Sequence, residues 1–245
     1  MLKLLSLFLF LSAYLFGGES VTIPTMNFSL SAPDTPQQLV SSLNVLVVLT
    51  LLFLAPSMVL VMTTFTRFII VFGFLRQAMG TQQVPPTQLL VMLAMILTFF
   101  VMEPVGTKAY EAGIKPYLAE KIGYEEAFTK TTLPFKTFMI RNTREKDLAL
   151  FFRIRKMQNP QTIAEVPLSI IIPAFVISEL KTAFEIGFLL FLPFLVIDMV
   201  VASILMSMGM MMLPPVMISL PFKILVFVLI DGWNLLIGNL IASIK

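Results

Sequence analysis

Seven ionisable residues stand inside otherwise apolar sequence: Arg67, Glu179, Lys181, Glu185, Asp198, Lys223 and Asp231. A charge in such surroundings is costly, so it pairs, lines a wet cavity or relays an ion. The chemistry open to them is narrow. The chain has no cysteine and no histidine, which removes disulfides, thiolate nucleophiles, zinc–sulfur sites and the commonest general base. Catalysis would rest on carboxylates, lysine or serine alone. The pattern leans away from an enzyme and implies neither metal nor cofactor.

Asp198 and Lys223 bracket the least ordinary stretch of the chain. Six of the 17 methionines fall between Met206 and Met217, with Gly209 among them and Pro214, Pro215 and Pro221 close behind. Glycine and a double proline do not sustain a plain spanning helix. The expectation is a soft, open loop over 206–217 between two apolar helices. Thioether side chains are unbranched, adaptable and nearly free of hydrogen-bonding demands. Irregular backbone at membrane depth is tolerated only where protein buries it or it lines a cavity. Together these features suit a constriction that closes around varied passing chains.

Helical rise links the charges to that loop. A tight turn at Pro214-Pro215 would put Asp198 roughly 24 Å from the turn and Lys223 roughly 12 Å from it, so only charges of different subunits would meet. With 206–217 open, the arms become roughly 12 and 9 Å, and the two side chains stand level within one chain. The pair then either pins two helices together or acts as an ion relay.

The elements that must position these residues follow from composition. Hydrophobic residues make up 58% of the 245 and charged ones 13%, far from a typical soluble domain, and mean hydropathy is +0.93. This is a membrane protein, or a subunit that buries almost all its surface against partners. Net charge is only +3, with no basic stripe of the kind nucleic-acid binding needs.

In order, 1–18 has Lys3 followed by an apolar run, the pattern of a cleaved signal peptide. Residues 19–38 form a polar, proline-containing leader. Residues 39–104 form a first apolar hairpin that bends near Pro56 and turns at Pro85 and Pro86. Eleven basic and seven acidic residues crowd into 105–166, a water-exposed helical insert. Its run Arg144-Glu145-Lys146-Asp147 has the spacing of a solvated helix face. A second apolar hairpin, with helices expected at about 168–184, 186–207 and 217–241, occupies 167–245 and carries the methionine loop. The fold class is all-α: two long broken hairpins flank a charged helical insert. Charge counting strains a simple four-span topology, because the insert's basic residues would lie outside.

Two long stretches carry a resemblance: TTFTRFIIVFGFLRQAMGTQQVPPTQLLVMLAMILTFFVMEPV (63–105) and VPLSIIIPAFVISELKTAFEIGFLLFLPFLVIDMVVASILMSMGMMMLPPVMISLPFKILVFVLIDGW (166–233). RNTREKDLALF (141–151) adds to it. Together they resemble the FliP/SctR family of type III secretion export-gate proteins, in particular its flagellar branch. The resemblance implies a non-enzymatic, pore-forming subunit present in about five copies. It implies assembly with FliQ and FliR, with FlhA and FlhB acting with the gate and FliO assisting. The setting would be the bacterial inner membrane, with much of the complex on the periplasmic side. The family's methionine gasket carries over to Met210, Met211 and Met212, adjoined by Met208 and Gly209. Asp198 and Lys223 match family acid and base positions tied to assembly or function. The virulence branch shares fold and gate and is the alternative. A small-solute transporter using Asp198, Lys223 and Glu179 is a more distant one, and a membrane anchor for the insert another. The chain has no nucleotide-binding P-loop, so a pore of this kind would take its energy from partners.

Overall fold

A turn at Met62–Thr64 divides the first apolar run in two. The structure is a computed structural model and describes residues 36–81, 84–157, 162–210 and 213–245. Helix α1 spans Pro36–Val61 and α2 spans Phe65–Ala78. Pro56 lies inside α1 and does not end it. Instead Thr63 Oγ1 donates to the Leu60 carbonyl at 2.7 Å and accepts the Phe65 N–H at 3.3 Å. A side chain competing locally for backbone partners ends the helix there. The signal peptide expected over 1–18 lies outside the described residues, as does the leader up to 35; its last three positions open α1.

Two compact units divide the chain, Met1–Leu49 and Thr50–Lys245. The described part of the first is the beginning of α1; the rest of α1 and every later helix belong to the second. Helix α3 runs Thr87–Leu118, with a π-helical turn at Tyr110–Ile114. Helices α4 (Tyr124–Asn142) and α5 (Glu145–Ile154) complete the insert. Helix α6 covers Leu168–Ser207, forty residues, with Pro173 and Pro193 inside it. The break expected between 184 and 186 is corrected: the helix is continuous there, and each proline inside it removes only one helical hydrogen bond. Helices α7 (Pro215–Leu229) and α8 (Gly232–Ala242) are bent by 65° at Asp231, whose φ is +52°.

Helix α2 is the centre of packing. Phe68, Val71, Phe72, Leu75 and Ala78 repeat at helical spacing and are wholly buried, forming one apolar face. That face meets Leu90 and Ala94 of α3, Ala183 and Phe194 of α6, Phe227 of α7 and Leu240 of α8. The α2–α6 contact is the most extensive in the fold. It is close because Gly187 lacks a side chain: a Cβ there would lie 2.4 Å from Phe74. A second core joins the insert to α6 through Phe138, Met139, Phe152, Ile170 and Phe175. Among the described residues, three helices are long and apolar enough to cross a membrane, or four if α7 and α8 count as one bent span.

Candidate functional site

The methionine turn is built by its two flanking caps. Helix α6 ends in a Schellman motif: Gly209 N donates to Met206 O at 3.1 Å, and Met210 N donates to Leu205 O at 3.0 Å. Gly209 has φ +75°, a left-handed conformation that glycine adopts without steric cost. On the far side Pro214 caps α7 and Pro215 is its first residue, where a missing N–H costs nothing. The turn is therefore 208–214, shorter than the 206–217 expected, because Met206 belongs to α6 and Met217 to α7. Met208 is 66% and Met210 40% exposed. Met211 and Met212 lie outside the described residues.

The first hairpin repeats this plan. Met79-Gly80 and Met208-Gly209 each precede a double proline by the same interval, ending at Pro85-Pro86 and Pro214-Pro215. Gly80 has φ +76° and the Val84–Pro85 peptide is cis, while Pro86 caps α3. The tip of this first turn abuts the root of α7: a Cβ on Gly80 would sit 3.2 Å from Val216.

Below the methionine turn, Asp198 and Lys223 meet within one chain. Lys223 Nζ donates to Asp198 Oδ2 at 2.6 Å and to the Ala78 carbonyl at 3.0 Å, and Ser219 Oγ donates to Asp198 Oδ1 at 2.5 Å. Lys223 is 2% exposed. The helices extend further toward the tip than the open loop assumed, yet the charges stay level. From the helix ends the arms are roughly 14 and 12 Å. The ammonium also closes the C-terminal end of α2, where helix carbonyls favour a cation. Sequence reasoning misses Ser219 and Ala78; the first is signalled only by its spacing of four from Lys223.

A second buried knot lies at the other end of α2. Arg67 Nε donates to Glu179 Oε2 at 2.8 Å, and Arg67 Nη2 pairs with Glu179 Oε1. Arg67 Nη1 donates to the carbonyl and hydroxyl oxygens of Ser243 at 2.9 and 2.8 Å. Arg67 is 2% and Glu179 0% exposed, so this is a two-pronged, charge-assisted contact away from water. Lys181 does not join it. That lysine pairs with Glu185 at 3.2 Å on an exposed face, and its ammonium group pushes Lys146 below the ordinary lysine range.

The neighbouring residue on α6 holds the insert. Ser178 Oγ donates to Asp147 Oδ2 at 2.6 Å and accepts the Arg144 N–H at 3.1 Å, and Arg144 Nη2 lies 2.7 Å from Asp147. The solvated face expected of 144–147 is thus corrected at Asp147, which is buried. Burial opposes its ionisation, but the bonds from Ser178 and Arg144 outweigh that and hold it below the usual carboxylate range. Nothing in the local spacing reveals Ser178 as its partner.

These contacts make a specific prediction for the upper knot. Asp198→Asn strands the buried Lys223, at a cost of about 3–5 kcal/mol, and Lys223→Met, which leaves the half-buried Asp198 unpaired, should cost less. The reciprocal exchange Asp198→Lys with Lys223→Asp restores opposite charges but not the bonds to Ser219 and Ala78. Thermal unfolding of the purified complex should rank the exchange above either single variant and below the parent. An exchange no better than the singles would show that the charge contact itself contributes nothing.

Comparison with known proteins adds to this geometry. The sequence profile of the FliP family matches residues 48–240. The chain is 52% identical over 215 residues to the flagellar biosynthetic protein FliP of Bacillus subtilis, covering 88% of this chain and 97% of that one. It is 55% identical over 197 residues to the protein of the same name from Caulobacter vibrioides (80% and 74% covered). With that of Treponema pallidum it shares 47% identity over 223 residues (90% and 82%).

Proposed function

Since the chain belongs to the FliP family, we propose that it is a core subunit of the flagellar type III export gate. In this reading it helps to form the channel through which unfolded flagellar proteins leave the cell during flagellum assembly. Copies of the chain, about five, associate with FliQ and FliR, and FlhB, FlhA and FliO act with or assist the assembly. The complex belongs to the bacterial inner membrane, with much of it on the periplasmic side and the apolar helices packed on neighbouring subunits. Met208, Gly209, Met210, Met211 and Met212 form the gasket across the pore.

The observation that carries this reading is an exposed methionine tip on a rigid polar base. Met208 and Met210 present adaptable side chains to the outside of the single chain, while the residues below them are fixed by Asp198, Lys223, Ser219 and the Ala78 carbonyl. A seal that must yield to diverse polypeptides and then close against ions needs both properties. A relay would need its charges open to an aqueous path, whereas Lys223 is enclosed. The flagellar names of the relatives favour the flagellar branch over the virulence one. Native mass spectrometry of the chain co-expressed with FliQ and FliR tests the proposal. A discrete complex with several copies of this chain is expected; a monomer that ignores both partners would overturn it.

A further inference from the structure

The two Met-Gly turns that lead to a double proline are built alike but surrounded differently. Gly80 and Gly209 share a left-handed backbone, with φ +76° and +75°. A Cβ added at Gly209 would meet no heavy atom within 4 Å among the described residues. At Gly80 the same Cβ would lie 3.2 Å from Val216 Cγ1, 3.9 Å from Lys223 Nζ and 4.0 Å from Leu220 Cδ1. Residues 216, 220 and 223 share one face of α7 by helical spacing, so Gly80 sits in a niche on that face. The methionines differ in the same sense: Met79 is buried in the α2 core, whereas Met208 is 66% exposed. Local bonds tie the first turn down as well, Gly80 N donating to Gln77 O at 3.0 Å and Thr81 Oγ1 to Arg76 O at 3.3 Å. One copy of the turn is embedded and the other stands free.

We propose that Gly80 is a positioning residue of the gate: the first turn is a fixed stop on which the root of α7 rests, and this contact sets where the methionine turn stands. The proposal rests on the gasket reading of 208–212 and adds a residue outside that segment. Glycine answers two demands at position 80, a left-handed backbone and a contact with room for a hydrogen but not for a methyl group. Val216 is the second residue of α7, directly after Pro214 and Pro215, whose rings fix φ. A displacement of Val216 is therefore passed to the turn instead of being absorbed by a soft linker. A methyl group on Gly80 would force Val216 to give by a few tenths of an ångström. That is small for a loop but large for a seal, since a gap of about 0.5–1 Å forfeits a quarter to a half of a contact's attraction. In an oligomer the same displacement recurs in every copy.

The test is a double-mutant cycle read as ion conductance of the complex co-expressed with its partner chains, with native mass spectrometry reporting assembly. Gly80→Ala overfills the contact and Val216→Ala empties it, and each should raise resting conductance roughly threefold. In the double variant the added methyl group replaces the one removed, so conductance should fall below that of either single variant. A role in stability alone would not give this compensation in conductance. A Gly80→Ala complex that assembles and conducts like the parent would overturn the proposal. So would a double variant that leaks as much as Gly80→Ala, which would assign the effect to strain of alanine in the left-handed region. Should Gly80→Ala fail to assemble, Val216→Ile presses on the same contact from α7 and leaves the glycine backbone untouched. It should leak likewise, and parent-like conductance would again overturn the proposal. Alanine at Met210, Met211 and Met212 separates the two readings. A leak there with none in Gly80→Ala or Val216→Ile sinks only the positioning role, whereas no leak there removes the gasket and this proposal with it.

Discussion

Replacing Arg67 by methionine should cost about 3–5 kcal/mol, a large share of the roughly 5–15 kcal/mol that holds a typical protein together. The reason is what remains behind. Glu179 is fully enclosed, and without the guanidinium its carboxylate keeps no partner for either oxygen among the described residues. The carbonyl of Ser243 loses its arginine donor as well. On a domain of this length the loss corresponds to a fall of roughly 6–20 °C in unfolding temperature. Arg67→Lys keeps the charge but not the two-pronged geometry, and it should fall between methionine and the parent. The double variant Arg67→Met with Glu179→Met removes both charges and should recover much of the loss, since buried pairs often exchange for apolar side chains at little cost. Thermal unfolding of the complex in detergent gives the ranking. If the double variant is as unstable as Arg67→Met, the stranded carboxylate is not the cause.

That arginine matters beyond its own energy because of where it sits. Arg67 and Ala78 lie at opposite ends of α2, roughly 16 Å apart along the helix, and each end is tied to a different element. Arg67 binds α6 and the backbone after α8, while the Ala78 carbonyl binds Lys223 of α7. Adjacent residues of α6 then face different ways, Glu179 toward α2 and Ser178 toward the insert. Two neighbours on a helix project about 100° apart, so one short segment joins the first hairpin, the insert and the end of the chain. The methionine turn therefore rises from a base in which both of its helices are held to α2.

How much of this the sequence discloses depends on range. Hydropathy marks the apolar helices and the charged insert, since each is a property of a continuous window. Glycine and paired prolines mark the turns, because their backbone limits are local. The levelness of Asp198 and Lys223 follows from rise per residue once the turn is bounded. Continuity of α6 is not legible: the charged patch Glu179–Glu185 suggests a break near 185, but whether the helix runs on depends on packing along its forty residues. The partner of Arg67 lies 112 positions away, beyond any periodicity. Asp147 misleads for a related reason. Its spacing from Arg144 does give the pair at 2.7 Å, but burial comes from Ser178 and α6, which the local pattern cannot register.

Alanine at Met210, Met211 and Met212 together should leave the fold intact and open the gate to ions, the reverse of the Arg67 case. In the single chain Met208 is 66% and Met210 40% exposed, so truncating side chains at this tip should move the unfolding temperature far less than the loss of Arg67. The cost appears only where copies close on one another. A fully buried methionine cut to alanine loses about 2–5 kcal/mol, and each ~1.4 kcal/mol shifts an equilibrium tenfold. Even partial burial in a closed ring, repeated over several copies, would therefore raise resting conductance at least about tenfold. Leucine at the same three positions restores volume but not flexibility, and should leak less than alanine. Planar-bilayer conductance of the assembled complex, with native mass spectrometry confirming equal assembly, separates sealing from stability. A triple-alanine complex that assembles fully and conducts no more than the parent would place the seal elsewhere in the chain or on a partner. A variant that leaks only because it fails to assemble would assign these methionines to packing instead.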